Sequence, residues 1–146
     1  MLKYCVNKWD RNKERLRPAL EKIAREDQWI GYTDLMKLVV EKILNDNEEN
    51  TEWNAERLAV IDYGSYQGSM LFIVPRDTYQ PGPEEVLMTY IYYGSCSLCD
   101  TLQSALAQEY EQEVQDLLTI CLHLIQNMIH PYKDSYDSTA ELDEEV

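Results

Sequence analysis

Cys96-Ser97-Leu98-Cys99 is the one closely spaced pair of thiols in the chain. It follows an aromatic, strand-like run and opens a helical second half. A thiol in the first turn of a helix has its thiolate favoured by unpaired amides and the macrodipole. In a redox centre of that kind Cys96 would attack and Cys99 would resolve. Asp100 opposes this, because an adjoining carboxylate raises a thiol pKa. A zinc site on the same pair needs two more ligands. The candidates are Cys5, Cys121, His123 and His130, and no second pair has metal spacing. Cys121 falls on an apolar helical stripe, where a buried thiol is ordinary, and His123 falls off it. The plainer reading gives the segment to architecture. Gly94 turns the chain, Ser97 and Asp100 cap a helix, and the two thiols pack beneath its first turn.

Other chemistries fare no better. Gly64-Ser65-Tyr66-Gln67-Gly68 has one residue too few for a P-loop and no lysine after the second glycine. A calcium loop framed from Asp46 puts Thr51 where glycine is required and Arg57 where the bidentate glutamate belongs. There is no nucleophile elbow, and the two histidines lie far in sequence from any candidate nucleophile. With 27 acids, chance carboxylate pairs are inevitable and carry no information. The expectation is a protein that is not an enzyme and holds no cofactor. Its contact residues are expected at two Tyr-Gly-Ser turns and a tyrosine-bearing loop: Tyr63, Ser65, Tyr66, Tyr79, Tyr93, Ser95 and Asp100. Gly64, Gly68 and Gly94 shape those turns.

The formal net charge is −14. Residues 1–25 hold eight of the thirteen basic side chains, while the rest of the chain carries five bases and twenty-four acids. Such a field repels nucleic acid and anionic membranes. It favours a partner protein with a basic surface, and self-association is compatible with it. Eleven tyrosines against one phenylalanine suit strands and interface rims alike. The first residues lack the apolar core of a secretory signal, and no 18-residue apolar run is present. A cytoplasmic protein with reduced thiols is expected.

These features need a scaffold. Residues 4–27 read as helical, with Val6, Trp9, Leu16, Leu20 and Ile23 forming a stripe that Pro18 interrupts. The basic residues around that stripe read as a solvated face. Gly31 suits a left-handed residue, and Thr33 a cap for a second helix bearing Leu35, Leu38, Val39 and Ile43. Asn45–Asn50 reads as a solvated loop, with Trp53 anchoring its exit. Leu58–Tyr63, Ser69–Val74 and Val86–Tyr93 read as strands in meander order, the first two joined by a hairpin. Residues 97–107 and 110–130 read as two helices or as one helix bent near Ala107, ended by Pro131. The second carries Val114, Leu117, Leu118, Cys121, Leu122, Ile125, Met128 and Ile129. The fold class is therefore α+β: a three-stranded antiparallel sheet flanked by N-terminal and C-terminal helices. Residues 1–133 form one domain, and 134–146, with six acids and no base, read as a disordered tail.

Three stretches resemble segments of small uncharacterised proteins encoded by phages and prophages. They are Asp62-Tyr63-Gly64-Ser65-Tyr66-Gln67-Gly68, Asp77-Thr78-Tyr79-Gln80-Pro81, and Tyr93-Gly94-Ser95-Cys96-Ser97-Leu98-Cys99-Asp100-Thr101-Leu102-Gln103. The likeness spans residues 58–126 and leaves out the N-terminal third. It implies a phage context and carries over no catalytic residue. Combined with the acidity, it leads to an expected function: a small binding protein that inhibits or modulates a host protein, such as a nucleic-acid-binding antiviral-defence factor. Surface docking or imitation of nucleic acid would be its means. The alternatives are a metal or redox module on Cys96 and Cys99, and a pocket for a small molecule such as a signalling nucleotide.

Overall fold

The structure is a computed structural model and describes residues 2–47, 49, 51–64, 68–94 and 100–130. Helix α1 runs Leu2–Arg25 without a break, although it contains Pro18. Pro18 sits on the exposed side, so the hydrogen bond it removes is lost where water can replace it. The buried stripe is Cys5, Trp9, Asn12, Leu16, Leu20 and Ile23. Asn12 completes the spacing between Trp9 and Leu16, and Val6 is only half-buried.

The chain leaves α1 through Asp27, whose φ of 53° is the left-handed residue of this connection. Gly31 does not take that role; its φ of −103° is extended. Helix α2, Tyr32–Val39, begins directly after Gly31. Thr33 is inside it and does not cap it. The Asp34 carboxylate instead reaches back to accept from the Gly31 N–H at 3.0 Å.

α2 continues as a π-turn over Val40–Leu44. Leu35, Met36, Val39, Val40, Ile43 and Leu44 are all fully buried, so this short element is central to the core. The turn ends against polar side chains of α1. Asn12 Nδ2 donates to Ile43 O at 2.8 Å, and Arg15 Nη1 donates to Lys42 O at 3.1 Å and Asn45 O at 2.6 Å. These carbonyls are the orphans every helix end leaves, and the Arg15 cation suits the negative end of the dipole. Lys8 is 7% exposed and pairs with Asp46 at 3.0 Å. Lys8 and Arg15 are thus interior connectors rather than part of a solvated face. Asn45 is likewise buried: its amide exchanges two hydrogen bonds with the Trp53 backbone, at 2.9 and 2.8 Å.

The sheet is a meander of β1 Ala59–Gly64, β2 Gly68–Pro75 and β3 Val86–Tyr93, all antiparallel, in the order β1-β2-β3. Gly64 pairs with Gly68, and Gly68 pairs with Tyr93. Both glycines are required there. Gly64 has φ 143°, and a Cβ on Gly68 would lie 1.9 Å from Tyr63 O.

Helix α3, Thr101–Leu106, and helix α4, Tyr110–Gln126, are separate helices. α4 ends four residues before the expected stop, because the following chain returns to the sheet. Ile129 exchanges backbone hydrogen bonds with Met88 at 2.8 and 2.9 Å. The buried side of α4 holds Val114, Leu117, Ile120, Cys121, Leu124 and Ile125, while Leu118 and Leu122 are half-buried and Ile129 is 46% exposed. Thr89 Oγ1 donates to Leu124 O at 2.6 Å, tying α4 to the inner face of β3. The helices, β2 and β3 share one apolar core, to which β1 contributes no buried side chain. The tail 134–146 lies outside the described residues. Among the described residues no helix is long and apolar enough to cross a membrane.

Candidate functional site

Strand alternation sorts the sheet residues onto two faces. Phe72, Val74, Leu87, Thr89 and Ile91 point to the helices and are buried. Their neighbours point away, in three rows fixed by the register: Ala59–Ile73–Met88, Ile61–Leu71–Tyr90 and Tyr63–Ser69–Tyr92. Ile129 extends the first row beyond Met88. No formally charged side chain stands in these rows. Tyr92 is 70% exposed, Tyr63 61%, Tyr90 40% and Ile61 39%. The Tyr90 and Tyr92 rings meet edge to face with centroids 5.6 Å apart. No described element covers this side of the sheet. β1 adds an open edge: its only described partner is β2, and every residue along it is exposed. Natural edge strands are usually blunted by lysine, proline or a bulge. β1 has none of these, and the one blunting device it carries is the inward-facing charge of Asp62.

Sequence reasoning missed most of this surface. Leu71, Ile73, Met88 and Tyr90 sit in apolar runs whose pattern does not tell an inner face from an outer one. The signal available was the count of elements. Three strands with helices enough for one side leave the other side open.

Of the residues expected at the contact surface, Tyr63, Tyr79, Tyr93 and Asp100 are described, and these four stand at different places. Tyr63 belongs to the outer face. Tyr93 points to the helix side, where its hydroxyl donates to Asp62 Oδ1. That hydrogen bond pushes the Tyr93 phenol above its ordinary range. Tyr79 is 90% exposed in the loop after β2, at the far end of the sheet from Gly68. Seven strand steps separate the ends of β2, roughly 23 Å. Ser65, Tyr66, Ser95, Cys96 and Cys99 lie outside the described residues.

Asp100 is not on the exposed surface: it is 3% exposed. Its Oδ1 accepts from the Gly94 N–H at 2.8 Å and the Tyr32 hydroxyl at 3.0 Å, and its Oδ2 from the Gln103 N–H at 2.9 Å. It is the N-cap of α3, not the acid of a capping box opened by Ser97. Tyr32 in turn accepts from the Leu102 N–H at 3.1 Å. Burial pushes the Tyr32 phenol far above its ordinary range, so it stays protonated and keeps donating. Gly94 and Gly64 do lie at the same end of the sheet, because Gly64, Gly68 and Tyr93 are register partners.

Of the other metal candidates, Cys5 and Cys121 are buried in the core and His130 is 8% exposed. Burial pushes the Cys121 thiol up to about 12, which keeps it protonated and unsuited to ligation. His123 is exposed on α4. Among the described residues no group of three metal-binding side chains comes together. Compared with family models, curated proteins and solved structures, the chain matches none of them.

Proposed function

We propose that this is a non-enzymatic binding protein that docks on another protein through the outer face and open edge of its sheet. The observation that carries the proposal is the uncharged, tyrosine-rich outer face on a chain of net charge −14. Contiguous apolar surface rimmed by polar groups marks an interaction site, and tyrosine suits the centre of such a contact. Charge complementarity selects the occupant. A second copy would bring another chain of net charge −14, whereas a basic-rimmed protein is drawn in by the same field. The phage-like Tyr-Gly-Ser motifs favour a host protein as the target, in a bacterial cytoplasm. A nucleic-acid-binding defence factor has the basic surface required, and the excess acids of the chain would meet it as phosphates do. Occupying that surface would inhibit or modulate the target.

The test compares the chain with its Tyr92→Glu and Leu71→Glu variants against a protein captured from bacterial lysate and then purified. Loss of binding in both variants, and weakening between 50 and 300 mM salt at roughly the scale expected for several rim charges, supports the reading. Retained binding in both variants overturns it. So does a wild-type dimer that the same substitutions dissociate.

A further inference from the structure

At the sheet end marked by Gly64, Gly68 and Tyr93, the helix side holds a groove of about 330 Å³. It is separate from the outer face. Trp29, Tyr32 and Tyr93 line it with the carboxylates of Asp62 and Asp100, and no Lys, Arg or His lines it among the described residues. Trp29 is 67% exposed, unusual for the largest aromatic side chain.

We infer that this groove takes an organic cation, the guanidinium or ammonium group of a partner's arginine or lysine side chain, held against the Trp29 and Tyr93 rings with Asp62 as counter-ion. The two carboxylates have different parts. Asp100 is buried and already accepts three hydrogen bonds, so it contributes charge but no open acceptor. Asp62 is exposed, and its one described hydrogen bond comes from the Tyr93 hydroxyl to Oδ1. That contact orients the carboxylate and leaves Oδ2 without a described donor. Aromatic faces attract cations through their quadrupole, guanidinium most readily. An anion such as a nucleotide phosphate would meet two carboxylates and no compensating cation. An apolar ligand would strip water from Asp62 with nothing in return. The inference rests on the docking reading only for the source of the cation.

The full chain is titrated with acetyl-Gly-Arg-Gly amide, with the same peptide carrying citrulline, and with spermidine. Trp9 and Trp53 are buried, so a fluorescence change reports on Trp29. Backbone amide shifts give a second readout. The arginine peptide should saturate with a Kd in about the millimolar range, and Asp62→Asn should weaken it roughly fivefold or more. Asp62→Asn keeps an oxygen for the Tyr93 hydroxyl, and Trp29→Leu should weaken the amide-detected binding as well. Equal binding of the citrulline peptide, or an unchanged Kd in Asp62→Asn, overturns the cation site. Spermidine binding more tightly than the peptide, and dependent on Asp62, overturns the side-chain source in favour of a polyamine. A failed titration leaves the Tyr92→Glu binding result standing, so the two readings fail separately.

Discussion

Replacing Asp100 by alanine should cost more than any other single carboxylate loss in this protein. Three donors converge on the Asp100 side chain, and two elements far apart in sequence depend on it. Loss of an N-cap costs about 1 kcal/mol. The Gly94 N–H and the Tyr32 hydroxyl would each lose an acceptor in a buried or part-buried setting, at about 1–2 kcal/mol apiece. The expected total is about 3–5 kcal/mol, a large part of the roughly 5–15 kcal/mol that holds a domain together. Urea unfolding, followed by circular dichroism and tryptophan fluorescence together, measures it. Tyr32→Phe removes the hydroxyl that bridges Asp100 to Leu102 and should cost about 1–2 kcal/mol alone. Because the two side chains share a hydrogen bond, the double variant should cost less than the sum of the singles. A loss below about 1 kcal/mol for Asp100→Ala, or strict additivity with Tyr32→Phe, would refute this account of the junction.

Two further expectations concern buried charge. Glu113 is 3% exposed, and its Oε2 has no hydrogen-bond partner. Burial raises its carboxyl above the ordinary 4.5, and the nearby Asp27 charge adds to the shift. The folded state therefore holds this proton more tightly than the unfolded state. Its contribution is most favourable below the unfolded pKa and declines as pH rises through the folded one. Glu113→Gln should raise stability at pH 7 by about 1 kcal/mol and flatten that decline, read from urea midpoints at pH 4.5 and 7. Asp46 behaves oppositely. The Asn12 hydrogen bond and the Lys8 cation hold its carboxyl below 3.8, so its stabilisation is complete above that value and lost as pH falls through the folded pKa. Asp46→Ala leaves Lys8 with only Glu52 at 4.0 Å and should cost about 2 kcal/mol, less than a wholly buried pair because Asp46 is part-exposed. Acid-unfolding midpoints of the two chains check this, and the variant should lack the steep loss below pH 3.8.

Local pattern carried the strands well. Val86–Tyr93 is β3 as read, and the other two differ by one residue at their ends. Alternation and β-branched or aromatic side chains are properties of the strand itself, so they are legible without its neighbours. Caps were less legible, since the capping side chain is one of several nearby candidates. Thr33 and Ser97 were plausible by type, but Asp34 and Asp100 fill the roles. α4 ended early because Ile129 had an edge of β3 to pair with, a competitor that no local propensity encodes.

What the sequence determined by itself is the α+β class, the meander and the acidic field. These follow from periodicity and charge, which are summed along the chain. What only the tertiary structure decided is the direction in which side chains face. Lys8 and Arg15 turned inward because a π-turn presented bare carbonyls and an aspartate to them. Asp100 became a buried knot because Tyr32, 68 residues away, met it. Tyr90 and Tyr92 became surface because three strands had helices on one side alone. Each outcome depends on groups distant in the chain arriving at one place, and contact of that kind is fixed by packing rather than by spacing.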